Sequence, residues 1–231
     1  VRTLRAVGFD LDGTLFDHRG SARDGVRHFL RSLGVEPSSG ALESWFTAED
    51  IQFERWRVGE IGFQEQRRQR LRAVLPALGV TLPTDDAGLD ALFDGYLQAY
   101  RRSWRAFPDS RDLIDTLRAS GYRVGLLTNG TQAQQLDKLH RTDLFGGFDA
   151  VCISEHLGVQ KPDPQAFIAL ATQLSVAPEA VLFVGDHQAH DVDGARSAGM
   201  RGLLVDRSAT HTAGIADVVR GALRAGVEPA R

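Results

Sequence analysis

The chain has 231 residues, enough for one α/β domain with a smaller insertion, and its 42% hydrophobic and 25% charged content is that of an ordinary globular protein. A formal net charge of −3 offers no basic surface for nucleic acid. One cysteine, Cys152, leaves no internal disulfide, and no apolar run reaches membrane-spanning length. The start of the chain lacks the apolar core of a signal peptide. The expectation is therefore a cytoplasmic protein, monomer or homodimer, with neither a membrane nor a nucleic-acid partner. Among 27 basic residues only Lys138 and Lys161 are lysine, so each merits inspection.

The first predicted strand covers residues 4–9 and runs into Asp10-Leu11-Asp12-Gly13-Thr14-Leu15. Asp10 and Asp12, two apart on a strand, project the same way, and Gly13 lets the backbone turn off sharply. An Asx turn alone would use the same residue types. Helical patterns follow over residues 22–33, 41–58, 63–78 and 86–104, punctuated by Gly34–Pro37, Gly59 and Gly79–Pro83. The next helix is expected over 109–120, the second strand over 122–127 and a helix over 131–141. Strands at 150–153, 180–184 and 202–205 alternate with helices at 164–174 and 191–198. The residues after Gly226 read as a frayed tail.

Alternation of strands and helices predicts parallel βαβ units, a Rossmann-like doubly wound sheet. The interval between the first two strands far exceeds the roughly 30 residues that one such unit needs. The excess predicts a four-helix insertion over 19–104, resting over the carboxyl edge of a core built from 1–18 and 105–231. Open α/β sheets bind ligands at that edge.

Three further features stand at predicted strand ends. Thr128, Asn129 and Gly130 end the second strand; they suit either an anion site at a helix N-terminus or a simple N-cap. Lys161-Pro162-Asp163-Pro164 places an ammonium before a Pro-stiffened helix start. Gly185-Asp186 ends a very apolar strand, and Asp191 opens the next helix, either as a cap alone or as a cap that also orders the metal shell or the lysine. Paired aspartates with a third carboxylate form a hard oxygen site suited to Mg²⁺. Cys152, in an apolar run, reads as a buried strand residue.

With D-L-D-G-T-L, T-N-G, K-P-D-P and G-D-x-x-x-x-D in this order, the sequence resembles the haloacid dehalogenase-like hydrolase superfamily over nearly its whole length. The insertion after the first motif is similar to that family's C1-type helical cap. The short gap from Asn129 to Lys161 leaves no room for a C2-type cap. The resemblance implies a phosphatase that hydrolyses a small phosphate ester through an aspartyl-phosphate, with Mg²⁺ as cofactor. Asp10 would be nucleophile and metal ligand. Asp12 would be general acid and base and bind the metal through its backbone carbonyl. Thr128 and Lys161 would hold the phosphoryl group with Asn129 beside it. Asp186 would complete the metal site, and Asp191, Gly13 and Thr14 would support it.

Within that family, Asp12 separates the chain from dehalogenases, which lack Asp at this position. Thr14 favours phosphatase over sugar phosphomutase, which often carries Val there. The absence of lysine from the insertion disfavours a Schiff-base route to phosphonates. The run from Leu127 through Gln135, Lys138-Leu139 and Ile153-Ser154-Glu155 looks like nucleoside-monophosphate and acylneuraminate-phosphate phosphatases, with phosphoglycolate phosphatases close behind. A phosphomutase and a non-catalytic phosphate-binding module are the alternatives. In the insertion, Arg55, Arg57, Arg67, Arg68, Arg70 and Arg72 are expected mainly on solvated faces. Trp45, Phe46, Phe53 and Trp56 are expected mainly in the helical core. His18 is expected in a surface turn, and His187 near the metal site without ligating it.

Overall fold

Very apolar runs bounded by glycine or aspartate form the strands of the computed structural model, which describes residues 3–207 and 214–225. The Arg57 side chain and the tail after Gly226, each the subject of an expectation, lie outside the described residues. Five strands form one parallel sheet: β1 (Ala6–Phe9), β2 (Arg123–Thr128), β3 (Ala150–Ile153), β4 (Val181–Gly185) and β5 (Arg201–Leu204), in the order β3-β2-β1-β4-β5. Phe9 lies in register with Leu126 of β2 and Val184 of β4. Asp10, Thr128 and Asp186 therefore emerge together at the carboxyl edge. Strand order reverses beside β1, which is where an open α/β sheet opens a crevice.

The chain divides into two compact units, Val1–His18 with Arg105–Arg231, and Arg19–Trp104. The second unit holds most of α1 (His18–Ser32), then α2 (Ser39–Arg57), α3 (Phe63–Val74) and α4 (Asp86–Arg102). Ser38 and Asp85 cap α2 and α4 through their side-chain oxygens. The helix expected over 63–78 stops at Val74, because Pro76 cannot donate into it and starts a separate 3₁₀ turn. Trp45 is fully buried against Phe29, Phe93 and Tyr96, with ring centroids 4.8–6.4 Å away. Phe53 and Trp56 stay outside that core; they meet edge to face, and Trp56 meets Phe63 the same way. None of the described helices is long and apolar enough to cross a membrane.

In the first unit, α5 (Ser110–Ala119), α6 (Gln132–Arg141), α7 (Ser154–Leu157) and α8 (Pro164–Gln173) connect the strands. The helix expected over 191–198 is different. A wide π turn, Gln188–Asp193, comes first, and α9 (Gly194–Ser197) follows. Asp191 lies in that turn, and its carboxylate folds back to accept from the His187 N–H at 3.0 Å. A helix that the apolar pattern did not predict, α10 (Ile215–Ala225), buries Ile215, Val219 and Leu223 at four-residue spacing.

Gly8 and Gly125 are register partners on β1 and β2, and α8 settles directly on them. A Cβ at Gly125 would come within 2.7 Å of Leu170 and 2.9 Å of Leu174; one at Gly8 would come within 2.8 Å of Leu170 and Phe183. Gly125→Ala is expected to cost about 1–3 kcal/mol through overpacking. Urea unfolding should show a lower midpoint at unchanged slope.

Candidate active site

The loop after β1 is held by its own backbone. The Thr14, Leu15 and Phe16 amides all donate to the Leu11 carbonyl, and Gly13 N–H donates to the Phe16 carbonyl at 2.9 Å. Gly13 has φ +88°, and a Cβ there would overlap the Asp186 carboxylate. Arg207 pins the loop from outside. Its Nε donates to the Thr14 carbonyl at 2.7 Å, while Nη1 reaches both Asp109 oxygens at 2.9 and 3.0 Å. The Ser110 hydroxyl donates to the Leu15 carbonyl at 2.8 Å. Sequence reasoning missed Arg207, Asp109 and Ser110, which lie about 95 residues or more from the loop and carry no local signature.

Asp10 is buried, with a partner on each oxygen. Lys161 Nζ donates to Oδ1 at 2.6 Å, and the Thr14 hydroxyl donates to Oδ2 at 3.1 Å. Lys161 also donates to Asp191 Oδ1 at 2.6 Å. Its side chain is 4% exposed, so the ammonium is enclosed between two carboxylates. Burial alone would lower the Lys161 pKa, but Asp10 and Asp191 outweigh it and raise it. Burial pushes Asp10 up to about 7, with Asp191 adding repulsion and Lys161 opposing. Asn129 holds the lysine's backbone: its Nδ2 donates to the Lys161 carbonyl and its Oδ1 accepts from the Lys161 N–H, both at 2.9 Å. The Asn129 amide is thus committed at both ends to the main chain of Lys161.

Oxygen atoms of Asp10, Asp186 and Asp191 lie within 4.8 Å of one another. Three carboxylates face one ammonium there, and burial together with the Asp191 charge raises the Asp186 pKa. Such an excess of negative charge on hard oxygen donors fits a divalent cation of the Mg²⁺ type. Asp191 thus sits inside the carboxylate cluster, whereas the Asp12 carboxylate lies outside it. His187 donates its backbone N–H to Asp191, and its ring stacks on His190 at 4.2 Å, so it supports the cluster without joining it.

Asp12 faces α6. Lys138 Nζ contacts its Oδ1 and Oδ2 at 2.6 and 2.8 Å, and Gln135 Nε2 donates to Oδ2 at 3.0 Å. The same Gln135 nitrogen lies 2.6 Å from the Thr128 hydroxyl. His18, the first residue of α1 and half-exposed, is 3.6 Å from Asp12 Oδ1. Burial pushes the Asp12 pKa up, but Lys138, His18 and Gln135 outweigh it and hold the carboxyl below its ordinary range. Both lysines of the chain therefore end on the two aspartates of the first motif. In the helical unit, Arg68 pairs with Asp86 and Asp90, Arg72 with Glu65 and Asp86, and Arg55 with Glu60. Arg67 lies over the Phe63 and Phe93 rings. Arg70 departs from the expected solvated face: it is buried against Trp45 and Phe93 and paired with Glu49 at 3.2 Å.

Residues 4–199 match the family described as haloacid dehalogenase-like hydrolase, a span that covers every residue of the carboxylate cluster and of the Asp12 environment. The chain belongs to that family, and it is an enzyme of its phosphoric monoester hydrolase class. It is similar to the glyceraldehyde 3-phosphate phosphatase of Methanopyrus kandleri, 31% identical over 88% of this chain and 84% of that one. It is also similar to the phosphoglycolate phosphatase of Salmonella paratyphi A, 30% identical over 86% and 80%. Among solved structures, the HAD-hydrolase YfnB from Bacillus subtilis shares the fold, with a TM-score of 0.77, 19% identity, and coverage of 96% and 99%.

Removing Lys161 would leave two buried carboxylates facing each other. Lys161→Met in metal-free buffer is expected to lose about 3–5 kcal/mol of stability at pH 8. Between 3.8 and about 7 the folded chain keeps a proton on Asp10 that the unfolded chain releases, so Asp10 costs stability as pH rises through that window. Without the lysine this acid climbs further. The loss should therefore shrink near pH 5, as measured by urea unfolding at the two pH values.

Proposed function

We propose that the chain is a Mg²⁺-dependent phosphatase of small phosphorylated metabolites that works through a phosphoryl group carried on Asp10. The observation that carries this reading is the Asp10 carboxylate, fixed by Lys161 and Thr14 beside Asp186 and Asp191 at the carboxyl edge of the sheet. In this reading residues 1–18 and 105–231 are the catalytic core and 19–104 the cap that admits substrate and excludes water. Asp10, Asp186 and the Asp12 backbone carbonyl would hold Mg²⁺, with Asp191 supporting them. The ion would offset the charge between a phosphate dianion and the attacking carboxylate.

An Asp10 oxygen forms a bond to phosphorus as the bond to the leaving oxygen breaks, and Asp12 gives that oxygen a proton. Water then attacks the phosphorus, Asp12 takes its proton, and the bond to Asp10 breaks to release inorganic phosphate. Lys161 and Thr128 would bind the transferring oxygens, which gather charge in the transition state. Asn129 serves this indirectly, by fixing the lysine. Substrates named for the relatives, glyceraldehyde 3-phosphate and phosphoglycolate, support a small anionic phosphate ester. The YfnB protein, which shares the fold, was crystallised bound to magnesium.

The test is phosphate release from a panel containing glyceraldehyde 3-phosphate, phosphoglycolate, sugar phosphates and nucleoside monophosphates, with Mg²⁺ or with EDTA. Release that needs the metal is expected. Asp10→Asn should lower it by about 10³-fold or more, since the covalent route is lost. Near-native release by that variant would remove Asp10 from its role. Transfer to a second hydroxyl without net release would identify a mutase, and no reaction in folded protein a binding module. Asp12→Asn should slow alkyl phosphates more than nitrophenyl phosphate, because a nitrophenolate leaves without a proton.

A further inference from the structure

Lys138 lies outside the carboxylate cluster, and nothing in the phosphatase scheme above requires it. Its side chain is only 3% exposed, while that of Asp12 is 28% exposed. The ammonium touches both Asp12 oxygens, at 2.6 and 2.8 Å, and sits 5.0 Å from the centre of the Phe16 ring. Gln135, one turn earlier on α6, ties the same carboxylate to the Thr128 hydroxyl. Residues three apart on a helix share a face, so a single face of α6 grips Asp12 at two points.

Burying an ammonium costs several kcal/mol and returns little net stability. A chain that writes nearly all its positive charge as arginine nonetheless keeps lysine at this position. A compact ammonium fits a small pocket and touches both carboxylate oxygens from one atom, where the wide planar fork of arginine would displace its neighbours.

Resting on the phosphatase reading, we infer that Lys138, with Gln135, is a positioning residue for proton transfer by Asp12. As Asp12 hands its proton to the leaving oxygen, negative charge returns to its carboxylate, and Lys138 holds that carboxylate in place. Lys138 takes no part in the proton transfer itself. Gln135 links the carboxylate to Thr128, so the proton donor and a phosphoryl-binding hydroxyl keep a fixed spacing. The effect belongs to the step that needs a proton, and it acts through Asp12 alone.

The experiment compares kcat/KM of the full-length wild type and Lys138→Met for nitrophenyl phosphate and for an alkyl phosphate, both with Mg²⁺. The ratio kcat/KM reports the first irreversible step, departure of the leaving group. The alkyl substrate should lose about 30-fold or more, on the scale of general acid catalysis, and at least about tenfold more than nitrophenyl phosphate. Gln135→Met should show the same split at smaller size. If Lys138→Met does not fold, Lys138→Arg, which keeps the charge but moves the head group, reads the same split. Equal losses on both substrates would overturn the inference, because they would mean that Lys138 binds the phosphoryl group or only supports the fold. An unchanged alkyl rate would overturn it too. Wild-type protein inactive on both substrates would instead count against the phosphatase reading.

Discussion

A single buried ammonium organises this site. Lys161 joins Asp10 at the end of β1 to Asp191 in the turn after β4, two segments brought together only by the parallel sheet. The surrounding structure serves that contact. Asn129, from the end of β2, holds the lysine's main chain at both polar atoms. The π turn at Gln188–Asp193 carries Asp191 inward, where a regular helix beginning at that residue would not bend it back to the His187 amide. Thr14 takes the remaining Asp10 oxygen, and Arg207 pins the Thr14 carbonyl. Each neighbour restricts the Asp10 carboxylate, and in the proposed mechanism a nucleophile held in one orientation would already have lost the freedom that attack otherwise costs.

The electrostatics follow from the same contact. Three carboxylates share one lysine, and burial, with repulsion from Asp191 added, pushes Asp10 up to about 7. Asp12, only two residues away, is pushed the other way by Lys138 and Gln135. Two acids only two residues apart are thus divided by their surroundings, Asp10 upward and Asp12 downward. Here the division arises because β1 ends between two lysines, one from the K-P-D-P turn and one from α6.

Much of this is legible in the sequence. Residues 6–9 and 181–185 are apolar runs ending in aspartate, so the strand ends and their carboxylates can be placed from the apolar pattern alone. The inserted helices are legible because no strand pattern occurs between Asp12 and residue 122. Partners distant in sequence are not legible. Helical periodicity over 131–141 shows that one face is apolar, but not that Gln135 and Lys138 on it meet a residue more than 120 positions away. The rarity of lysine is the available signal, and it points to Lys138 and Lys161 but not to Gln135. The π turn escapes sequence reasoning because apolar spacing over so few residues does not distinguish it from a regular helical turn. Asn129 reads as a cap or ligand because its true partner is the main chain of the K-P-D-P turn.

The central claim is that Asp10 carries the phosphoryl group during turnover. Its most direct test is to quench the protein during turnover with a phosphate ester and Mg²⁺, reduce the mixture with borohydride, and map the modified peptide by mass spectrometry. An acyl phosphate is reduced to an alcohol, so the account predicts that residue 10 alone is converted, and only when substrate is present. Conversion at another carboxylate, or none in protein that is releasing phosphate, would contradict it.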